Sequence, residues 1–207
     1  MTEQSACNIT WRPLELADIP QISEWFWNAD DVALFDRALP VPVGIDILRE
    51  NWRKSLEQTT PPSAYWFVAE DKDRSPVGIA ALESVNYIQG DAVLPFFVAE
   101  RFRKNGLATA MTVSMLDLAF RKLRLHRVTT FYRSDNDATR RALDKVGFST
   151  EGCFREGWFT DGVRKDIVIA GILGSEWLGN RERVIREVAR TCNLSFTPTC
   201  WKVVRET

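Results

Sequence analysis

The chain has one histidine, His126, and four cysteines, Cys7, Cys153, Cys192 and Cys200, with no CxxC pair and no histidine cluster beside them. That spacing excludes the common zinc and dithiol motifs, so no metal is expected and the thiols read as reduced. His126 stands in a basic stretch before a strand-like run, the ordinary place for a structural or surface histidine, and the cysteines carry no nucleophile signature. No run of about 18 apolar residues exists, which excludes a membrane-spanning helix. The N-terminus, with Glu3 and Gln4 and no apolar core, does not read as a secretory signal, and the expected location is the cytoplasm. A net charge of −1 leaves no broad basic face for a nucleic-acid backbone. Internal repeats and low-complexity segments are absent as well.

What remains is positive charge in local groups, around residues 101–104, 121–127 and 181–190, a distribution suited to a small polyanion. With 207 residues, 45% of them hydrophobic, the chain is long enough for one well-packed domain. A first strand is expected over 9–16. A helix carrying Ile22, Trp25 and Phe26 follows, then an irregular segment over 30–44, and then a second helix through Leu48, Trp52 and Leu56 that Pro61 and Pro62 end. Residues 65–70 and 77–85 read as a hairpin across the turn-forming run 71–76, and 92–98 as a third strand. An amphipathic helix over 107–123, a strand over 127–133, a short helix over 138–146 and a hairpin across Thr160, Asp161 and Gly162 complete the order.

The most informative stretch is 101–109, where a basic glycine turn separates a strand from a long helix. Free backbone N–H groups and the dipole at a helix start favour anions, and Gly106 places no Cβ in the way of one. Arg101, Arg103 and Lys104 add donors suited to phosphate oxygens.

Arg103, Gly106 and Ala108, spaced as Arg-x-x-Gly-x-Ala, resemble the Arg/Gln-x-x-Gly-x-Gly/Ala signature of the GNAT acyltransferases, whose loop wraps the pyrophosphate of acetyl-CoA. Downstream, Asn136, Thr139, Lys145, Gly147, Phe148, Glu151 and Gly152 resemble the Asn-x-x-Ser, Lys-x-Gly-Phe and Glu-Gly pattern of the branch that acetylates ribosomal-protein alanines. The resemblance spans roughly residues 9–178. It implies an α/β (α+β) fold with a mixed, mostly antiparallel central sheet, splayed at the acyl-CoA site and flanked by helices. It further implies a catalytic domain over 1–178 and a C-terminal extension over 179–207, packed on it. In that extension residues 181–191 can form a helix with Val184, Ile185, Val188 and Ala189 on one side, and Trp201, Val203 and Val204 a strand-like tail.

The implied activity is transfer of an acetyl group from acetyl-CoA to a primary amine, of a small molecule or a peptide N-terminus, by direct attack. Two alternatives stay open: a longer or carrier-protein-bound acyl donor, and a silent CoA-binding module. The implied cofactor contacts are Arg103, Lys104, Asn105, Gly106, Leu107, Ala108 and Thr109 on the loop, backbone groups of Phe97 and Val98 on the splayed strand, and Asn136, which equally suits a helix N-cap. The chain departs from the commoner family pattern seven positions after the asparagine, where Leu143 replaces a tyrosine acid. Thr139, in the place of the branch's serine, is then the candidate acid, and Asp91 or, second, Glu83 the candidate base. Trp25, Phe26, Trp27, Phe35 and Trp52 suit core packing, whereas Trp158 and Phe159 in the last hairpin are the better candidates for an acceptor pocket. Asp30, Asp31 and Asp36 are placed to attract a cationic amine. A homodimer is left open.

Overall fold

The computed structural model describes residues 7–35, 37, 44–57, 59–191 and 194–195. Its strands are β1 (Cys7–Asn8), β2 (Thr10–Pro13), β3 (Tyr65–Glu70), β4 (Pro76–Asn86), β5 (Asp91–Val93), β6 (Phe96–Val98), β7 (Arg127–Arg133), β8 (Ser149–Thr160), β9 (Val163–Leu173) and β10 (Leu194–Ser195). The helices are α1 (Ile19–Ile22), α2 (Ala29–Phe35), α3 (Ile45–Leu56), α4 (Leu107–Asp117), α5 (Asp137–Val146) and α6 (Gly174–Thr191). An eight-stranded sheet runs β2-β3-β4-β5-β7-β9-β8 with β6 also on β4, while β1 and β10 form a separate parallel pair. All its neighbours are antiparallel except β5 and β7.

Local chemistry sets the hairpins. The Asp71 carboxylate accepts the N–H groups of Asp73 and Ser75 at 3.0 and 2.9 Å and so closes the β3–β4 turn. Asp161 and Gly162 both take positive φ, the two-residue geometry that matches strand twist between β8 and β9.

Each face of the sheet carries its own core. Ile19, Ile22, Phe26, Leu48 and Trp52 cover Trp66, Val68, Ile79 and Phe97 on one side. On the other, Met111, Met115, Leu116, Leu143, Trp177 and Val184 cover Leu82, Val128, Ala170 and Ile172. Alternation along β4, with Ile79 and Ala81 on the first side and Ala80 and Leu82 on the second, sends consecutive residues to opposite cores.

Five expectations are corrected. The first strand is shorter, Thr10–Pro13, and the segment expected to be irregular begins as α2, with Asp30 and Asp31 in its first turn, where carboxylates favour the helix dipole. Asp36 and residues 38–43 lie outside the described residues, as do Trp201, Val203 and Val204. The strand expected over 92–98 is broken into β5 and β6. The helix over 107–123 is not amphipathic: every residue from Thr109 to Phe120 is buried, because α4 is enclosed by the sheet, α5 and α6, and its last turn, Leu118–Lys122, widens to a π-helix. The helix expected over 181–191 begins at Gly174, and Val184 and Val188 are buried while Ala189 is exposed.

Two charged networks tie the layers. Arg12 bridges Asp18 at 2.6 Å and Glu70 at 2.7 Å, fastening the first strand to the α1 side. Asp117, 3% exposed, accepts from Trp177 Nε1 at 3.1 Å and from Arg181 at 2.7 and 2.6 Å, which anchors α6 to α4.

Candidate functional site

The sheet opens where the sequence Leu94-Pro95 stops a ladder. Leu94 N–H still donates to Thr129 O at 2.8 Å, and the buried Thr130 hydroxyl donates to the Leu94 carbonyl at 2.8 Å. Pro95 has no N–H to continue the β5–β7 pairing, and beyond it β6 pairs only with β4. Along β6 the bonds to β4 come from odd positions, Ala81 N–H to Pro95 O and Ala99 N–H to Val77 O, both 3.0 Å. Antiparallel alternation therefore turns the backbone groups of Phe96 and Val98 toward the opening. Of the two residues expected on that edge, Val98 faces the opening, and Phe96 rather than Phe97 shares its edge. The proline kink, legible in the sequence as Leu94-Pro95, is the signal that shifts the register.

Phe97 contributes its ring instead. It sits in an aromatic cluster with Trp25, Phe26 and Phe35, at centroid distances of 5.8, 5.4 and 5.5 Å.

At the open end lies a cleft of about 460 Å³, lined by Leu34 and Phe35 of α2, by β6, by Phe102 to Lys104 and Gly106 to Thr109, and by Asn136, Ala138, Thr139, Arg141, Ala142 and Lys145. The loop positions expected to hold the cofactor are thus brought together with Phe97, Val98, Asn136 and Thr139, except Asn105, which does not line the cleft. Four lining residues are cationic, Arg103, Lys104, Arg141 and Lys145, and none is acidic. Arg141 and Lys145 escaped the sequence reading as ligand contacts. Their signal was the spacing Ala138, Arg141, Ala142, Lys145, which is one face of a helix.

Gly106 takes φ 77°, a left-handed value that favours glycine, and no side chain caps α4. The first N–H groups of that helix have no carbonyl of their own turn to meet and open on the cleft. Lys104 also has positive φ, 66°.

Arg103 is engaged within the protein: Nε donates to Val98 O at 3.0 Å, Nη1 pairs with Asp31 at 2.7 Å, and the guanidinium lies 5.4 Å from the Phe97 centroid. Asp31, expected to attract an amine, is buried in that pair; Asp30 is exposed. At the end of β7, Arg133 pairs with Asp135 at 2.6 Å. Burial works to raise the Asp135 carboxyl, but the hydrogen bond and charge of Arg133 outweigh it and hold the carboxyl below its ordinary value.

Asn136 caps α5, its Oδ1 accepting the Thr139 N–H at 3.1 Å. Thr139 is half-buried on the cleft wall. The two carboxylates expected as bases do not line the cleft. Asp91 is level with Arg127, at the paired end of β5, five residues or about 16 Å of strand before Phe96. Glu83 is opposite Val93, one step from the opening, and its Oε1 accepts from Trp66 Nε1 at 3.1 Å. His126 is exposed at the start of β7, remote from the cleft. Trp158 is buried and Phe159 is 60% exposed, and neither lines this cleft. Among the described residues no group of three His, Cys, Asp or Glu side chains could hold a metal, Cys153 is exposed and unpaired, and no helix is long and apolar enough to cross a membrane.

A mixed sheet split open beside an uncapped glycine turn and a cationic helix face defines an acyltransferase of the splayed-sheet class. The sequence model of the acetyltransferase (GNAT) domain matches residues 8–149, and the chain belongs to that family. Among curated relatives it is 28% identical over 109 residues to YdaF of Bacillus subtilis (strain 168), provisionally named a ribosomal N-acetyltransferase, covering 53% of this chain and 60% of YdaF. The matched stretch thus spans less than two thirds of that relative. It is 28% identical over 116 residues to a spermidine N(1)-acetyltransferase of Vibrio cholerae, covering 56% of this chain and 67% of the relative. The crystal structure of spermidine N-acetyltransferase from Vibrio cholerae in complex with CoA and spermine superposes with a TM-score of 0.74 at 26% identity, over 83% of this chain and 98% of that one. The fold expected from the sequence is the one observed.

Proposed function

We propose that the protein transfers an acetyl group from acetyl-CoA to a primary amine by direct attack. The observation that carries this reading is the cleft itself: four cations, no carboxylate, an uncapped helix start and a strand edge with no neighbouring strand converge on one opening. Pyrophosphate meets the N–H groups of Leu107, Ala108 and Thr109 with Lys104 beside them, and the amides of pantetheine meet the edge of Phe96 and Val98. Arg141 and Lys145 are suited to the remaining phosphate, which favours CoA over a carrier-protein donor, whose pantetheine carries no adenosine phosphates.

The neutral amine attacks the thioester carbon. The tetrahedral oxyanion is held by backbone N–H, the C–S bond breaks, and the Thr139 hydroxyl passes its proton to the leaving thiolate as it takes one back from water. The amine proton leaves through water. Of the two carboxylates, Glu83 stands nearer the opening and is the better terminus for that chain. Glu83→Gln is expected to lower kcat/KM several-fold in the alkaline-rising limb of the pH profile, and Asp91→Asn to leave it unchanged. A limb indifferent to both variants, and tracking the amine pKa of two acceptors, removes carboxylate base catalysis and leaves positioning as the main contribution.

The finer assignments rest on the same reading. Asn136 and Thr139 support the ribosomal-protein-alanine branch, while the matches to spermidine acetyltransferases support a polyamine acceptor. A cytoplasmic location and a domain over 1–178 carrying an extension over 179–207 accompany it. Calorimetry with CoA tests the donor. Thiol release from acetyl-CoA with spermine, spermidine and a peptide with N-terminal alanine tests the reaction, and acetyl-carrier protein tests the other donor. Tight CoA binding without thiol release from any amine would identify a silent module.

A further inference from the structure

We propose that Asp31 is a positioning residue for the CoA cleft, acting through Arg103, and that Arg103 supports CoA binding by clamping the open end of β6 rather than by meeting a phosphate. This rests on the CoA reading above.

Beyond Pro95 the cleft-side edge of β6 has lost its neighbour strand, and a strand edge without a partner needs some other group to fix it. Arg103 supplies that group. Its Nε donates to Val98 O, its Nη1 holds Asp31 at 2.7 Å, and its face lies against the Phe97 ring. One planar side chain thereby joins the free edge of β6, the phosphate loop and α2, whose Leu34 and Phe35 form the facing wall. Asp31 is the fixed end of this clamp, 7% exposed at the first turn of α2. A guanidinium can make both contacts at once because its donors form a rigid fork; an ammonium is a single point and cannot.

The two roles for Arg103 predict opposite results for its partner. If Arg103 meets phosphate directly, Asp31→Asn releases a cation from its counter-ion, and CoA binding stays equal or tightens. If Arg103 is a clamp, Asp31→Asn weakens CoA about tenfold, as Arg103→Ala does, and the double variant is no weaker than either single one. Arg103→Lys separates them again, since it keeps the charge and loses the fork: the clamp predicts a loss like that of Arg103→Ala, a phosphate contact predicts retention. Asp31→Glu, which keeps the ion pair, should recover part of the loss.

The measurement is calorimetry with CoA on the full chain, with thermal melts to establish that each variant is folded. Should Asp31→Asn not fold, Arg103→Lys decides alone. Additive losses, or unchanged affinity in Asp31→Asn, overturn the clamp. An unmodified chain that fails to bind CoA overturns the donor assignment instead, so the two failures are distinct.

Discussion

Two helices begin at the same cleft in opposite ways. α5 starts with Asn136, whose carboxamide oxygen satisfies the Thr139 N–H. α4 starts with Gly106 in a left-handed conformation and no side-chain cap. A good cap is worth about 1 kcal/mol, so α4 forgoes ordinary stabilisation and α5 keeps it. α4 tolerates this because it is buried on all sides and needs no cap to stay helical. On the proposed CoA reading, the difference leaves the N–H groups of α4 to the cleft, whereas α5 contributes side chains from a fixed frame.

The largest effect should come from placing negative charge at the start of α4. Gly106→Glu places a carboxylate where the N–H groups face the cleft, and CoA affinity should fall by more than about 100-fold in calorimetry. Gly106→Ala, which strains the left-handed turn without adding charge, should lose far less. Equal losses would mean that backbone conformation, not the anion site, is what glycine protects.

Next is Thr139, whose N–H belongs to the α5 cap and whose hydroxyl belongs to the cleft wall. Thr139→Val keeps the shape and removes the hydroxyl, so kcat should fall by about 10- to 100-fold with CoA affinity within about twofold. Thr139→Ser should be mild. An unchanged kcat, with chemistry shown to be rate-limiting, assigns the proton to water.

Asn136→Ala removes the cap from α5 and makes the two starts alike. Urea unfolding should show a loss of about 1 kcal/mol. Affinity for CoA should change less than stability if Asn136 is chiefly a cap.

The smallest effect concerns a third start, remote from the cleft, where the Asp18 carboxylate accepts the Glu15 N–H at 2.9 Å over residues 16–18. Burial works to raise the Asp18 carboxyl, but hydrogen bonds from Arg12 and from Glu15 N–H outweigh it and hold the carboxyl low. A folded value below the unfolded one stabilises above the ordinary carboxylate pKa of about 3.9, and that contribution disappears as pH falls through the folded value. Stability measured from pH 5 down to 2 should therefore fall less steeply in Asp18→Asn than in the unmodified chain.

These starts were unevenly legible in the sequence. The strand, glycine turn and helix over 92–123 fixed the location of the cleft, and Asn136 announced its cap, because both depend on near neighbours along the chain. The burial of α4 did not show, since the helix over 107–123 reads as amphipathic and Thr109, Thr112 and Ser114 are polar residues. In the fold Thr112 and Ser114 hydroxyls return to the carbonyls of Ala108 and Ala110, at 2.9 and 3.1 Å, and so pack as small apolar groups. Asp30 and Asp31 read as an acidic loop because their helix and the partner Arg103 lie 72 positions apart for Asp31, and only the fold joins them. The family resemblance puts the base near the start of the third strand, which favours Asp91, whereas Glu83 on β4 is opposite Val93, nearer the break at Pro95, a register only the fold shows.

The Asp117 network bears on how the chain can be shortened. The stretch after residue 178 supplies Arg181, both of whose contacts to Asp117 are under 3 Å, while Trp177 supplies the third. A chain cut at 178 would keep every lining residue of the cleft, yet leave a carboxylate 3% exposed with Arg121, at 3.4 Å, in place of its closer counter-ion. Removing one partner of such a buried pair costs about 3–5 kcal/mol, a large share of what holds an ordinary domain together. A chain cut at 178 is expected to melt lower than one that keeps Arg181, and Asp117→Asn is the substitution to pair with such a truncation.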